Sequence, residues 1–422
     1  MGSHFSLVER SIARLLGHFP SVKKRAKAGY SKAAYTIHRK GYRYCTRCQF
    51  DTYVKADDQE SYFGYYDKSP VSSDGYALAH LSRRHTTEPP SPDRPVALAL
   101  VAPDGSLLAR LRVRAYNWQQ GSRAHWLNDD LFMFNDFDDS GRKYISRVFS
   151  KKSLQETRRF DLPVQDSHGT DYFLSLDYRR LLALRPDYGY RNLSPLSKGE
   201  LRDTSNDGIW RTEYATGETK LLYSLSQIAE TGEKPEPGQG IHKVNHIMIS
   251  PSGRQFIALH RCYQGRKRSD RLVLADAEGG GLRVIADYGM VSHCSWADEH
   301  TIVGYLRGPG SRDAYWIIDL QASRFTRFAQ GALDKYGDGH PHVHGDWFVT
   351  DTYPDKARMQ HLIMANWKTG EARKLGEFFH GFEYDGETRC DLHPRFSPDG
   401  KSIFFDSVFD GRRRLYRLDP RA

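Results

Sequence analysis

The chain of 422 residues is 39% hydrophobic and 13% aromatic, the balance of a soluble globular protein. No run approaches the roughly 20 apolar residues that cross a bilayer, and plentiful Tyr and Phe without long apolar runs favour many short strands over helices. The net charge of +10 resides in residues 1–50, where eleven Lys/Arg face Glu9 alone; the remainder is neutral, which excludes a global nucleic-acid-binding surface.

The first element expected is a basic helical arm over residues 1–56. Leu7, Val8, Ile12, Leu15, Leu16 and Phe19 recur along one side of a helix, with Arg10 and Arg14 elsewhere, and Pro20 ends it. The segment that follows, to Tyr44, is strongly basic and aromatic. This reads as an amphipathic polybasic arm for the anionic inner face of a membrane. The competing reading is a pair of helices packed on the protein's side with a solvated basic face. Glu9, Arg10, Arg14 and His18 interrupt any apolar signal core, so the protein is expected to be cytoplasmic, peripheral at the inner membrane. Cys45 and Cys48 form one CxxC while Cys262, Cys294 and Cys390 stand alone, which reads as reduced thiols rather than a cysteine-built zinc site.

From 57 to 422 the sequence repeats. Turns recur at SSDG (72–75), LNDD (127–130), SLDY (175–178), SPSG (250–253), WADE (296–299), HGD (344–346) and SPDG (397–400), almost every one followed by an apolar or alternating run. Seven strand–turn–strand segments, such as RLVLADAEGGGLRVI and HLIMANWKTGEARKL, interleave with them. Most turn-to-turn spacings are 46 to 55 residues, the length of a four-stranded blade. The expected fold is therefore all-β, a seven-bladed β-propeller, with an insertion near 185–208 in blade three. Repeats this long do not suit a β-helix, and a domain this large does not suit one sandwich. A first strand near 53–62 is a candidate for closing the ring.

The segments entering each inner strand face the central channel, and histidine recurs there. His246, His293, His340 and His393 precede the turns of repeats four to seven, with His125 and His168 at similar places in repeats two and three. Imidazoles converging from different blades suit a divalent metal: Mn, Zn or Ca. The run His340-Pro-His342-Val-His344 offers alternate residues of one strand as two further ligands. The alternative for any one histidine is a hydrogen bond to a neighbouring blade's carbonyl. Tyr65, Tyr66, Asp67 and Lys68 follow as candidate substrate contacts, together with His125 and His168; Arg261 and Arg395 lie close to axial histidines. Aromatic faces with cations are what an acidic oligo- or polysaccharide requires.

VNHIMISPSGRQFIALHR, SHCSWADEHTIVGY and LHPRFSPDGKSIFFDS resemble blades of the oligogalacturonate lyases, over roughly 240–422. YFGYYDKSP is similar to a phrase in propellers associated with bacterial capsule and exopolysaccharide genes. The lyase resemblance implies metal-assisted β-elimination at a uronic acid. His246 then matches the base, assisted by Arg261 and Arg395, and His293 and His393 match metal ligands. The chain departs from that pattern where Cys390 replaces a glutamine and Arg395 a histidine; His340 and His342 are the expected substitutes. The rival function is a non-catalytic propeller that binds glycan or protein partners in surface-polysaccharide synthesis at the membrane. No GxGxxG or credible DxD marks a glycosyltransferase.

Overall fold

In the computed structural model, residues 20–54, 58–83, 86–233 and 240–421 are described, with side chains from residue 29 onward. The amphipathic stretch before Pro20 lies outside them. Seven antiparallel sheets form the blades of a propeller. Blade one runs through Glu60–Tyr62, Ala77–Ser82, Val96–Val101 and Leu107–Val113, and the same inner-to-outer order repeats around the ring.

Middle strands of a blade are covered on both faces by neighbouring blades, and their sequences are accordingly mostly apolar, with a few buried polar residues such as His80, Gln360 and Asp406. Ala77–Ser82, Met359–Asn366 and Ile403–Ser407 are buried at every position. Outer strands such as Leu107–Val113 and Gln155–Phe160 have one free edge, and Arg110, Arg112 and Arg159 are among their exposed residues. The SxDG-type turns close as expected from their residues. In the last, Gly400 sits at φ +69°, its N–H donates to Ser397 O at 2.9 Å, and the Ser397 hydroxyl donates to Asp399 at 2.6 Å.

Two features differ from the sequence expectation. The C-terminal part supplies only three strands of blade seven, Arg395–Phe396, Ile403–Ser407 and Arg414–Leu418; the fourth is Phe50–Thr52. Tyr44–Thr46 adds a fifth, outermost strand to blade six. Part of the segment read as arm is thus the latch that closes the ring, while Glu60–Tyr62 is the inner strand of blade one. Both strands are short and exposed on alternate or successive residues, so they lack the apolar signature of an interior strand.

Blade three's second and third strands, Tyr172–Ser175 and Gly208–Glu213, are separated by the predicted insertion, which occupies residues 176–207. It begins with the helix Tyr178–Leu184, capped by the Asp177 carboxylate on Arg179 N at 2.7 Å. It then carries Arg185, Asp187, Tyr188 and Tyr190 inward. Tyr188 and Tyr190 are fully buried.

Candidate functional site at the axis

The inner strands of blades four to seven deliver their histidines to one place. The strand Ile241–Ile249 contains a bulge between Asn245 and Met248, and His246 there adopts φ +55°. The extra residue turns the imidazole out of the ladder. His393, just before Arg395–Phe396, has φ +43°. The result is a row of four buried imidazoles: His246 to His293 at 5.1 Å between ring centroids, His293 to His340 at 4.1 Å, and His340 to His393 at 4.3 Å.

Tyrosines from blade one and the insertion complete the row. Tyr65 places its hydroxyl 2.6 Å from His246 Nε2 and its ring 5.1 Å from His393. Tyr66 packs 5.4 Å from His340 and donates to Cys294 O at 2.9 Å. Tyr188 lies 5.4 Å from His246. Gly64 makes this entry possible. At φ +124°, a Cβ would meet the Gln120 carbonyl carbon at 2.7 Å, and the Asp406 carboxylate accepts from Phe63 N and Gly64 N.

Which ring nitrogen is occupied decides what the imidazoles offer. His340 Nδ1 lies 2.8 Å from Asp351 Oδ1, and His393 Nδ1 donates to Gly64 O at 3.0 Å. Asp351 also accepts the backbone N–H of His340 at 2.9 Å and of His393 at 3.0 Å, so one carboxylate fixes both residues. Both Nε2 atoms are buried without a hydrogen-bond partner. A donor atom of Asp391 lies within 4.8 Å of one from each, making His340, Asp391 and His393 a three-ligand group. Arg389 holds Asp391 through Nε, at 2.9 and 2.8 Å.

Electrostatics divides the row. Burial, then the neighbouring His293 and the cations Arg261, Arg185 and Lys243, hold His246 well below the usual imidazole value. Burial and His340 lower His293 to about 4. Burial opposes charge on His340 as well, but Asp351 outweighs it and the value rises. Burial would raise Asp391, yet Arg389 and His340 hold it well below the usual carboxylate range. A cavity of about 180 Å³ opens beside the row, between blades four and five; Arg185, His246, Arg261, His293, Asp338 and Tyr353 are among its lining residues.

The sequence-expected residues fall into three groups. His246, His293, His340, His393, Tyr65 and Tyr66 come together, and Arg261 joins them through the cavity, with its Nε 3.2 Å from Asp270. Arg395 is buried as a brace instead: it reaches Asp406 at 3.1 Å, Gly64 O at 3.1 Å and His393 O at 2.6 Å. His342 is turned away, its Nδ1 accepting from Phe396 N at 3.2 Å, because the strand begins only at His342 and His340 does not share its alternation. The remaining four are saturated elsewhere. Asp67 pairs with Arg123 at 2.7 Å and Lys68 with Asp166 at 2.5 Å. His125 bonds Arg123 O and Ser167 Oγ, both at 2.7 Å, and half-buried His168 bonds Asp171 at 2.9 Å. None of these four needs a ligand to satisfy it.

Asp391, Asp351, Asp338, Arg389, Arg185 and Tyr353 are site residues that the sequence reading did not single out. The one available signal was Asp391, two residues before His393. Cys390 packs with Tyr384 and Val408, and the neighbouring carboxylate, not the thiol, reaches the cluster.

No protein-family model and no curated protein sequence matches the chain. Solved structures do. An oligogalacturonate lyase in complex with manganese aligns at TM-score 0.57 and 16% identity, covering 90% of this chain and 98% of that one. The oligogalacturonate lyase of Vibrio parahaemolyticus aligns at 0.55 and 14%, covering 89% and 97%. The β-propeller domain of the trilobed protease from Pyrococcus furiosus, described as having an open velcro topology, aligns at 0.50 and 10%, covering 87% and 95%. At these identities the likeness is one of fold: this chain is a seven-bladed propeller similar to the oligogalacturonate lyases.

Proposed function

We propose that the axial site is that of a lyase-like enzyme, which cleaves a uronate-containing glycan by β-elimination with a divalent cation held by His340, Asp391 and His393. The observation that carries this is the pair of buried, unpartnered Nε2 atoms beside a carboxylate, since buried polar atoms are otherwise satisfied. Two imidazoles and one carboxylate with anchored second partners suit Mn or Zn better than Ca. When bound, such a cation supplies Lewis-acid polarisation of a substrate carboxylate.

The chain's own residues supply the rest. His246 is neutral and beside the cavity, so its ring can take the proton on the carbon next to the carboxyl group; the electrons form the ring double bond and the glycosidic oxygen leaves with a proton. Arg261 and Arg185 line the same space and face the carboxylate charge that grows as that proton departs. Tyr65, at 2.6 Å from His246 Nε2, orients the base and is positioned to return a proton.

Incubating the protein with Mn²⁺ and polygalacturonate, alginate or hyaluronan, and following ultraviolet absorbance of the unsaturated product, tests the reading. Product that disappears on chelation supports it. Glycan binding without product on every polymer would replace the lyase by a glycan-binding propeller.

A further inference from the structure

Blade four carries a row of charge across its three inner strands. Lys243 of Ile241–Ile249 lies opposite Arg261 of Gln255–Gln264, which lies opposite Asp270 of Lys267–Asp276. Directly opposed residues share one face of a sheet, with Cβ atoms about 5 Å apart, so the three side chains stand in line. Arg261 Nε lies 3.2 Å and Arg268 Nη2 3.0 Å from the Asp270 carboxylate. Lys243 is fully buried, and its Nζ has no hydrogen-bond partner. Asn245, two residues on along the same strand, leaves both of its amide atoms unpartnered as well.

A buried ammonium with no acceptor, beside two guanidinium groups, sheds its proton. Burial, then Arg261 and Arg185, accordingly hold the Lys243 amine well below the usual lysine value, and Asp187 and Asp270 only partly oppose them. Its other charged neighbours are committed or neutral. Arg180, from the helix Tyr178–Leu184, is tied to Asp207 and the His242 carbonyl, while His246 and His293 carry no charge. With Lys243 neutral, charge around the cavity balances: Arg185, Arg261 and Arg268 line it, against the carboxylates of Asp187, Asp270 and Asp338. Asp313, also at the wall, is held by Arg307, and Asp391 by Arg389. An anion entering this space adds a negative charge that nothing else there offsets, and a proton on Lys243 restores the balance.

We propose that the cavity between blades four and five is an oxyanion site, seated on Arg185, Arg261 and Arg268, in which Lys243 is a positioning residue that takes up a proton as the anion enters. Lys243 acts through its charge from behind Arg261 rather than by touching the ligand. That the anion is the carboxylate of a uronate rests on the lyase reading; that an anion binds together with a proton does not. A buried, unpaired lysine is costly to the fold, and its role at the cavity accounts for its place there.

Calorimetric titration of chelator-stripped protein with galacturonate, with sulfate and with uncharged galactose tests it, repeated from about pH 6 to 9 in buffers of different ionisation enthalpy. Wild-type protein is expected to bind galacturonate but not galactose, and to take up as much as about one proton per anion. Lys243→Met should remove that uptake and weaken galacturonate binding about tenfold. The same variant should raise the urea midpoint, since an apolar chain of similar length replaces a buried, unpaired amine; a lysine with a merely structural role would lower it. The uptake is read on wild-type protein, so it remains a test even should Lys243→Met fail to fold. Sulfate bound with proton uptake while galacturonate is not bound supports the oxyanion site and counts against the lyase reading alone. Binding of neither anion, no proton uptake at any pH, or uptake unchanged in Lys243→Met would overturn the proposal.

Discussion

A histidine's chemistry depends on which ring nitrogen its neighbours occupy, and in His340 and His393 they occupy the same one. Asp351 Oδ1 and Gly64 O engage the two Nδ1 atoms, which leaves both Nε2 atoms buried without a hydrogen-bond partner in the group that includes Asp391. Because Asp351 also holds both backbone N–H groups, Asp351→Asn is expected to weaken Mn²⁺ binding about 10–100-fold, measured by calorimetry on chelator-stripped protein. His393→Ala should abolish it. His246→Ala should leave Mn²⁺ binding in place and remove product formation, separating the base from the ligands. Since burial and nearby cations keep His246 neutral well below the ordinary imidazole value, its protonation should not lower the rate between about pH 8 and 6. A group titrating near 6.5 that His246→Gln removes would refute that assignment.

At the scale of elements, the ring is held by strands that look unlike strands. Phe50 is only half-buried, yet its ring meets Phe378, Phe409 and Tyr416 within 6 Å, linking blades six and seven. Phe50→Ala should cost about 3 kcal/mol, seen as a lower urea midpoint with unchanged Mn²⁺ affinity. The blades themselves were legible because turn residues and apolar runs are local signals: SPDG specifies its turn wherever it stands. The latch was not, since an outer strand contributes few buried side chains and takes its identity from the edge it pairs with. The place of the blade-three insertion was visible from spacing alone; that it carries Arg185 and Tyr188 to the axis was not.

For the molecule as a whole, the interior is rich in neutral histidine. Burial lowers His80 and His293 to about 4, and His125, His342 and His380 to about 3. In the unfolded chain these groups take up protons near 6.5. The unfolded state therefore binds more protons as pH falls, and stability is full above 6.5 and declines below it, by about 1.4 kcal/mol per unit for each such group until its folded value is reached. Urea midpoints measured from about pH 7.5 to 5 should fall steadily, well before carboxylates titrate. A flat profile would contradict the buried, neutral state of these histidines.

What the sequence by itself determined is the ring: seven repeats of turn and alternating strand, and a histidine at the same point of four successive repeats. Those follow from short-range rules of turn chemistry and side-chain alternation. Only the tertiary structure decided which of the axial groups are free to act. Asp67, Lys68, His125 and Arg395 hold the entries of the inner strands through ion pairs and hydrogen bonds, while Asp391 and Asp351 join the histidines. The physical reason is that a ligand's availability depends on partners some fifty residues away and on single backbone angles, as at Gly64, His246 and His393, and neither leaves a periodic trace in the chain.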